Sequence, residues 1–324
     1  MVANTSARVH AARTSTLPRA WVMERVLPGR SMSTPILAPG VYLAHKPVGA
    51  TSRSVVEGLR GTSRLSMCHG GALDPFAEGL LLILVGEATK LFEFLHAVPK
   101  VYEAEVVWGA ETDTLDPLGS VVATGDTSAL NESRLDDEMK SLTGWTAQVP
   151  PATSNKRVGG ERAYVRAHRG ESVEVPPSRV LLHEGAWVRH ELPWRSWMRV
   201  SVGGGFYVRS LARDLGRTLG ATAHLATLRR VSIGPWIDPA PDAPMMRLQG
   251  EALLPWCLTR RLRDEERSLL EAGSPVPRGD VRPAPWSLPE GFPAPLVRLI
   301  HQGRIVGLAP DAPELVPVLR LRGV

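Results

Sequence analysis

Six apolar residues in unbroken succession, Leu80-Leu81-Leu82-Ile83-Leu84-Val85, lie between Gly79 and Gly86. A segment with no polar position has no face to give to water, so other parts of the chain must cover every side of it. Six residues suit a buried strand or the centre of a helix, and fall far below the roughly 18 needed to cross a bilayer. The rest of the chain must therefore build a core around this element. It has the material: 43% of the 324 residues are hydrophobic and 22% are charged, the balance of a folded globular protein. At about 150 residues per domain, two domains are expected. Two cysteines, Cys68 and Cys257, are too few for a disulfide framework or a zinc knuckle. A reducing compartment, the cytoplasm, is the expectation, with no membrane segment.

The net charge of +5 is unevenly spread. Residues 1–40 hold Arg8, Arg13, Arg19, Arg25 and Arg30 against Glu24, which gives +4 and leaves +1 for the remaining 284. Total charge therefore does not establish a nucleic-acid partner; local clusters must. Residues 1–38 are rich in Ser, Thr, Ala, Arg and Pro and have no sustained periodicity. Transit peptides share that composition. The reading adopted is an unordered extension, with Met23 and Met32 as alternative starts.

Order begins with a short strand at Gly40 to Ala44, and Ser52 or Ser54 can cap a helix running to Leu59. From Val101 to Trp108, Tyr102, Ala104, Val106 and Trp108 alternate with polar positions, which predicts a half-buried strand. Residues 128–143 read as an amphipathic helix. Between Pro150-Pro151 and Pro176-Pro177 lie Lys156, Arg157, Arg162, Arg166 and Arg169, a basic excursion with Tyr164 to His168 helical. Trp197 to Val202 and Leu228 to Ile233 are strands. Val208, Leu211, Ala212, Leu215 and Leu219 have helical spacing, stopped by Gly220. A Pro-rich joint from Pro235 to Pro244 precedes a small β-rich region with a helix from Asp264 to Leu270 and a hairpin around His301-Gln302-Gly303-Arg304.

The triplet Leu-Asp-Pro occurs twice. Leu115-Asp116-Pro117 sits between strands, where Asp and Pro are ordinary turn residues, so Asp116→Asn should change little. Leu73-Asp74-Pro75 follows His69-Gly70-Gly71-Ala72, where glycines let the backbone turn or approach a ligand. Asp74-Pro75 also fits the cap and first position of a helix. On residue chemistry alone, cap and catalyst are evenly matched for Asp74.

The wider string, His69 to Leu81 followed by Val85-Gly86-Glu87-Ala88-Thr89-Lys90, resembles the catalytic motif of the TruB family of tRNA pseudouridine synthases. Further matches follow in family order: Lys46-Pro47, Lys100-Val101-Tyr102, Pro150-Pro151 with Gly159 to Tyr164, Tyr207-Val208-Arg209, and Leu228-Arg229-Arg230. The resemblance spans about residues 40–236. Departures are Cys68-His69-Gly70-Gly71, where the family usually has Gly-His-Thr-Gly, and His45, where an Asp is common. Thr153, Asn155 and Arg157 replace the usual aromatic, Ala and Lys.

The resemblance implies an α/β (α+β) catalytic domain over 39–240 with a central mixed sheet. An RNA-gripping thumb over 148–179 and a β-rich, PUA-like module over 251–324 complete it. It implies isomerisation of uridine to pseudouridine at position 55 of the tRNA T loop, with no cofactor, no metal and no obligate protein partner. Asp74 would act on the ribose, by attack on C1′ or removal of a C2′ proton. Arg209 would pair with Asp74 and keep it ionised. Tyr102, Tyr207, Leu228 and His69 would line the pocket of the flipped base. Lys156, Arg157, Arg162, Arg166, Arg229 and Arg230 would meet phosphates. The rival readings are a noncatalytic RNA-binding or RNA-folding protein, and a pseudouridine synthase for another RNA.

Overall fold

The structure, a computed structural model, describes residues 23–26, 37–289 and 296–324. In chain order, the main elements are strand β1 (Met23–Val26), β2 (Gly40–Lys46), helix α1 (Ser52–Arg60), β3 (Met67–His69), β4 (Glu78–Val85) and β5 (Lys100–Trp108). There follow α2 (Glu132–Ser141), β6 (Gly144–Gln148), α3 (Ala163–His168), β7 (Ser178–Glu191) and β8 (Arg195–Val202). Helix α4 (Val208–Leu219), β9 (Ala223–Ile233), β10 (Trp236–Ile237) and β11 (Met245–Leu248) complete the first unit. Among the described residues these strands form one sheet in the order β1-β11-β2-β4-β9-β5-β8-β7-β6, with β3 on β4 and β10 on β9. The β4–β9 pair is parallel and its other ladders are antiparallel, so the sheet is mixed.

The apolar run is β4, and Leu80 to Val85 have no exposed surface. It is a strand because a central position demands apolar residues on both faces. β9 pairs with its start, Arg229 opposite Glu78 and Arg230 opposite Gly79. β3 pairs with its end, from Met67 opposite Val85 to His69 opposite Ile83. The gap between β3 and β9 along β4 is where the Gly70–Ala77 loop sits. Gly79 has φ +109°, and a Cβ there would collide with the Arg230 carbonyl, so β4 can enter the sheet here only with glycine.

Helix α4 lays Leu211, Ala212, Leu215 and Leu219 on one face of the sheet, against Ala104, Val106, Leu225 and α2's Leu135 and Met139. It ends at Gly220 in the left-handed conformation, φ +75°, as its sequence predicts. Thr51, rather than Ser52 or Ser54, caps α1, in a reciprocal box with Ser54.

Two expectations about boundaries meet a different chain path. Residues 1–22 and 27–36 of the expected extension lie outside the described residues, but Met23–Val26 is an edge strand on β11. And β11, past the Pro-rich joint, pairs with β2 inside the main sheet. The β-rich C-terminal region has a five-stranded sheet that includes Leu258–Arg261, Val297–His301 and Arg304–Ala309. One hydrophobic cluster joins Val41, Leu84 and Trp236 to Leu253, Ile300, Leu308 and Leu321. The two sheets thus share a core. The hairpin falls as expected, with Gln302 and Gly303 at positive φ.

Candidate active site

The Asp74 segment starts no helix. After Gly71, at φ +130°, the chain makes a turn in which Ala77 N–H donates to Asp74 O at 3.1 Å, and then enters β4. The helix-cap reading is thereby corrected: Gly79 has the positive φ that leads into a strand. The Asp74 side chain instead reaches α4, where Arg209 Nη2 donates to Oδ1 at 2.8 Å. Arg209 is only 3% exposed and Asp74 31%.

Arg209 has further partners. Nη1 donates to Thr114 O at 2.7 Å, to Thr153 Oγ1 at 2.9 Å and to Asp116 Oδ2 at 3.3 Å. Both Leu-Asp-Pro triplets therefore converge on one guanidinium. Asp116 is 4% exposed. Its Oδ1 accepts from Leu118 N–H at 3.0 Å and from the Thr114 hydroxyl at 2.6 Å, which is the turn chemistry expected of it. Its other oxygen faces Arg209, so Asp116 is not the inert control its sequence setting suggests. Its local bonds conceal a contact that spans 93 residues.

Burial pushes the Asp74 carboxyl above the usual range; Arg209 pulls it back, and Asp116 adds a repulsion that raises it again. The arginine thus does not lower Asp74 on balance, as the pairing alone predicts, because its charge is divided between two carboxylates and burial outweighs it.

Around Asp74 is a cavity of about 360 Å³ whose walls include His69, Tyr102, Tyr207 and Leu228, four of the five expected pocket residues; the fifth, Arg209, is not in the wall and meets the cavity through Asp74. Tyr102 and Leu228 come from neighbouring strands: Leu228 pairs with Ala104 and Arg230 with Tyr102. Alternation puts Leu228 and Arg230 on one face of β9. Tyr207 is held at the start of α4 by Gln148, whose amide bonds its backbone N–H and carbonyl at 2.9 and 3.1 Å. His69 Nδ1 is buried with no hydrogen-bond partner among the described residues, and burial lowers its basicity.

The expected phosphate contacts divide. Arg157 and Arg162 are exposed and line the same cavity, and no acid partner among the described residues bonds Lys156, Arg157 or Arg162. Arg166 is tied to Glu171 at 2.7 Å, as is Arg169 to Glu161 and Glu171. Arg229 is neutralised by Asp238 at 2.9 Å, which also holds His45 Nδ1 at 3.1 Å. Arg230 has a structural task that its sequence setting does not announce. It is 1% exposed and bridges the gap in the sheet, donating to Leu80 O at 2.7 Å and Gly71 O at 3.0 Å. Its guanidinium stands in for the ladder that β4 lacks there, and it borders the Asp74 cavity from within the sheet.

Two buried lysines were given no role by sequence reasoning. Lys46 donates to Ala50 O at 2.6 Å and Pro47 O at 3.0 Å, and burial lowers its pKa to about 8. Lys100 lines the cavity and donates to His96 O at 2.7 Å and Val98 O at 2.9 Å. Burial, then Arg230, lowers it to about 7. The alternation that marks Tyr102 as inward also marks Lys100, two residues earlier; that signal was there to be read.

Residues 61–208 match the family model described as TruB family pseudouridylate synthase (N terminal domain). Residues 209–270 match that of the tRNA pseudouridylate synthase B C-terminal domain. This chain belongs to the TruB family. The tRNA pseudouridine synthase B of Thermobifida fusca (strain YX) is 40% identical over 210 residues, 62% of this chain and 71% of the relative. That of Corynebacterium aurimucosum is 32% identical over 295 residues, covering 86% and 94%. Among solved structures, the crystal structure of a Cbf5-Nop10-Gar1 complex aligns with a TM-score of 0.62 at 19% identity, over 88% of this chain and 84% of that one. A structure of an H/ACA RNP bound to a substrate RNA containing 2'-deoxyuridine aligns at 0.60 and 19%, over 87% and 84%. At that identity the likeness shows a shared fold alone.

Proposed function

We propose that this TruB-family enzyme isomerises uridine to pseudouridine at position 55 of the tRNA T loop, with Asp74 as the reacting carboxylate. The observation that carries the assignment is Asp74 in the wall of a cavity large enough for a base, paired at 2.8 Å with Arg209 behind it. A uridine in a folded loop must leave its stack to reach such a cavity. Tyr102 offers an aromatic face and Leu228 an apolar wall for the uracil. Asp74 then breaks the C1′–N1 bond, either by attack on C1′ or by removing the C2′ proton. The uracil rotates and C5 bonds to C1′; this step displaces the Asp74 carboxylate from C1′ on the first route, or is accompanied by return of the proton from Asp74 to C2′ on the second. The C5 proton then leaves and N1 ends protonated. No electrons are gained or lost, and the expectation of no cofactor follows from that balance. Arg209 orients Asp74 through its hydrogen bond to Oδ1.

The excursion between β6 and β7 serves as the thumb, with Lys156, Arg157 and Arg162 free to meet phosphates near the reacting base. The C-terminal β-rich region is a second RNA-binding element, and the enzyme works in the cytoplasm with its tRNA. Among the described residues no helix is long and apolar enough to cross a membrane.

The test maps pseudouridine in unmodified tRNA before and after treatment with the protein and with Asp74→Asn. The protein should introduce pseudouridine at one T-loop site. The variant should lose turnover by orders of magnitude and still bind tRNA. Near-normal turnover of Asp74→Asn removes the catalytic assignment.

A further inference from the structure

Phe92 and His96 occupy one face of the short helix Phe92–His96. Their rings stack, with centroids 5.5 Å apart and planes 24° from parallel. Both line the cavity that holds Asp74, and neither has a part in the isomerisation derived above. We propose that this pair is a second base-stacking platform, which holds a nucleobase neighbouring the target uridine in the RNA.

Three features of the molecule support this use. The platform is fixed: the His96 carbonyl accepts from the buried Lys100 at 2.7 Å. On its other side Gly204 makes room, since a Cβ there would lie 2.7 Å from that carbonyl and 3.2 Å from His96 Nδ1. It is also accessible, because both rings are half-buried and border open cavity. And its charge setting suits a nucleotide. Burial, then the nearby Lys100, keeps the imidazole below its usual basicity, so it offers a neutral ring face on which any base can stack. Arg157 and Arg162 line the same cavity and Lys156 is close enough to influence His96. Those cations favour an occupant that carries phosphates on either side of a flat ring, which is a nucleotide of the bound strand rather than a peptide side chain.

The inference rests on the RNA-modifying reading, and the experiment separates the two. Stem-loop RNAs containing the target uridine are made intact and with a single abasic nucleotide at each flanking loop position. Affinities are measured for Asp74→Asn, which holds the RNA without turnover, and for the same protein carrying Phe92→Leu and His96→Leu. Leucine keeps apolar volume at both sites, and melting temperatures check the fold. The added substitutions should weaken binding of the intact stem-loop about tenfold, in line with the loss of one stacked base. At one abasic position the two proteins should bind equally, because the base that used the platform is gone. An equal loss with every RNA marks the pair as packing only and overturns the platform, as does no loss at all. Turnover of the intact stem-loop by the unsubstituted protein is measured alongside. If it modifies the RNA while the platform fails, the proposed function stands; if it neither binds nor modifies it, both fall.

Discussion

Replacing Asp116 by Asn isolates one interaction. Asn keeps an oxygen for Leu118 N–H and the Thr114 hydroxyl, whose bonds to Oδ1 measure 3.0 and 2.6 Å, so the turn should survive. What disappears is the negative charge 3.3 Å from Arg209 Nη1. Unit charges at that distance attract by about 5 kcal/mol at an effective dielectric of 20. Most of this is offset, because a buried carboxylate is no longer desolvated and Arg209 keeps Asp74, Thr114 O and Thr153. A net loss of about 1–3 kcal/mol of stability is expected. The larger effect is on chemistry. Arg209 loses one of its two anionic anchors and is free to rotate further onto Asp74, and a displacement of this kind costs on the order of 100-fold in rate. Turnover on tRNA should fall about 10- to 100-fold with tRNA affinity unchanged. Asp116 is also one cause of the raised Asp74 pKa. Its neutralisation lowers that pKa, so the acid limb of the turnover–pH profile should move to lower pH. Turnover within twofold of the unsubstituted protein, with the acid limb unmoved, would return Asp116 to being a turn residue and refute the shared-arginine argument.

Other consequences can be measured directly. Gly79→Ala should destabilise the fold by about 3 kcal/mol or more, read as a lower denaturant midpoint, since φ is +109° and the Arg230 backbone blocks a Cβ. Neutralising Lys156, Arg157 and Arg162 together should reduce the slope of log affinity against log salt by about 0.7–0.9 per lost phosphate contact. Arg229→Gln should leave that slope unchanged, because Asp238 already takes its charge. Lys100 has a native pKa of about 7, below its unfolded value, so between pH 7 and 9 the unfolded chain holds more protons and stability should rise with pH. Against Lys100→Met, that rise should reach at most about 1.4 kcal/mol per pH unit; identical slopes in urea denaturation would show that Lys100 does not titrate there.

What the sequence revealed depends on whether a residue's partners are local. The run Leu80 to Val85 and the spacing Val208 to Leu219 declare their burial by pattern alone, and both elements lie where expected. Asp74, Tyr102, Tyr207, Arg209 and Leu228 were identified by resemblance, and the fold brings them into one cavity wall or just behind it. Asp116 was misread because an Asp-Pro turn explains itself with nearby bonds. The sheet role of Arg230 was not legible because arginine is ordinarily a surface residue; its burial repairs a break between β3 and β9, and a break in pairing is a property of the assembled sheet. Met23–Val26 and Met245–Leu248 were overlooked as strands for a related reason. Each is short, and its partner lies far away in sequence.

The excursion proposed as the thumb leaves the sheet after Gln148 and returns at Ser178, and these two residues are cross-strand partners. An excursion that departs and arrives at the same rung can be lengthened, shortened or exchanged without moving a strand. Its first few residues are the exception, because Thr153 bonds Arg209 and Val149 O accepts from Arg213 and Ser210. On the proposed function, an exchange confined to 155–175 would alter which RNA is gripped and leave Arg209 seated. One that begins at 149 would carry part of that arginine's support away with it. On the proposed function, substrate choice is therefore a replaceable part only from residue 155 outward.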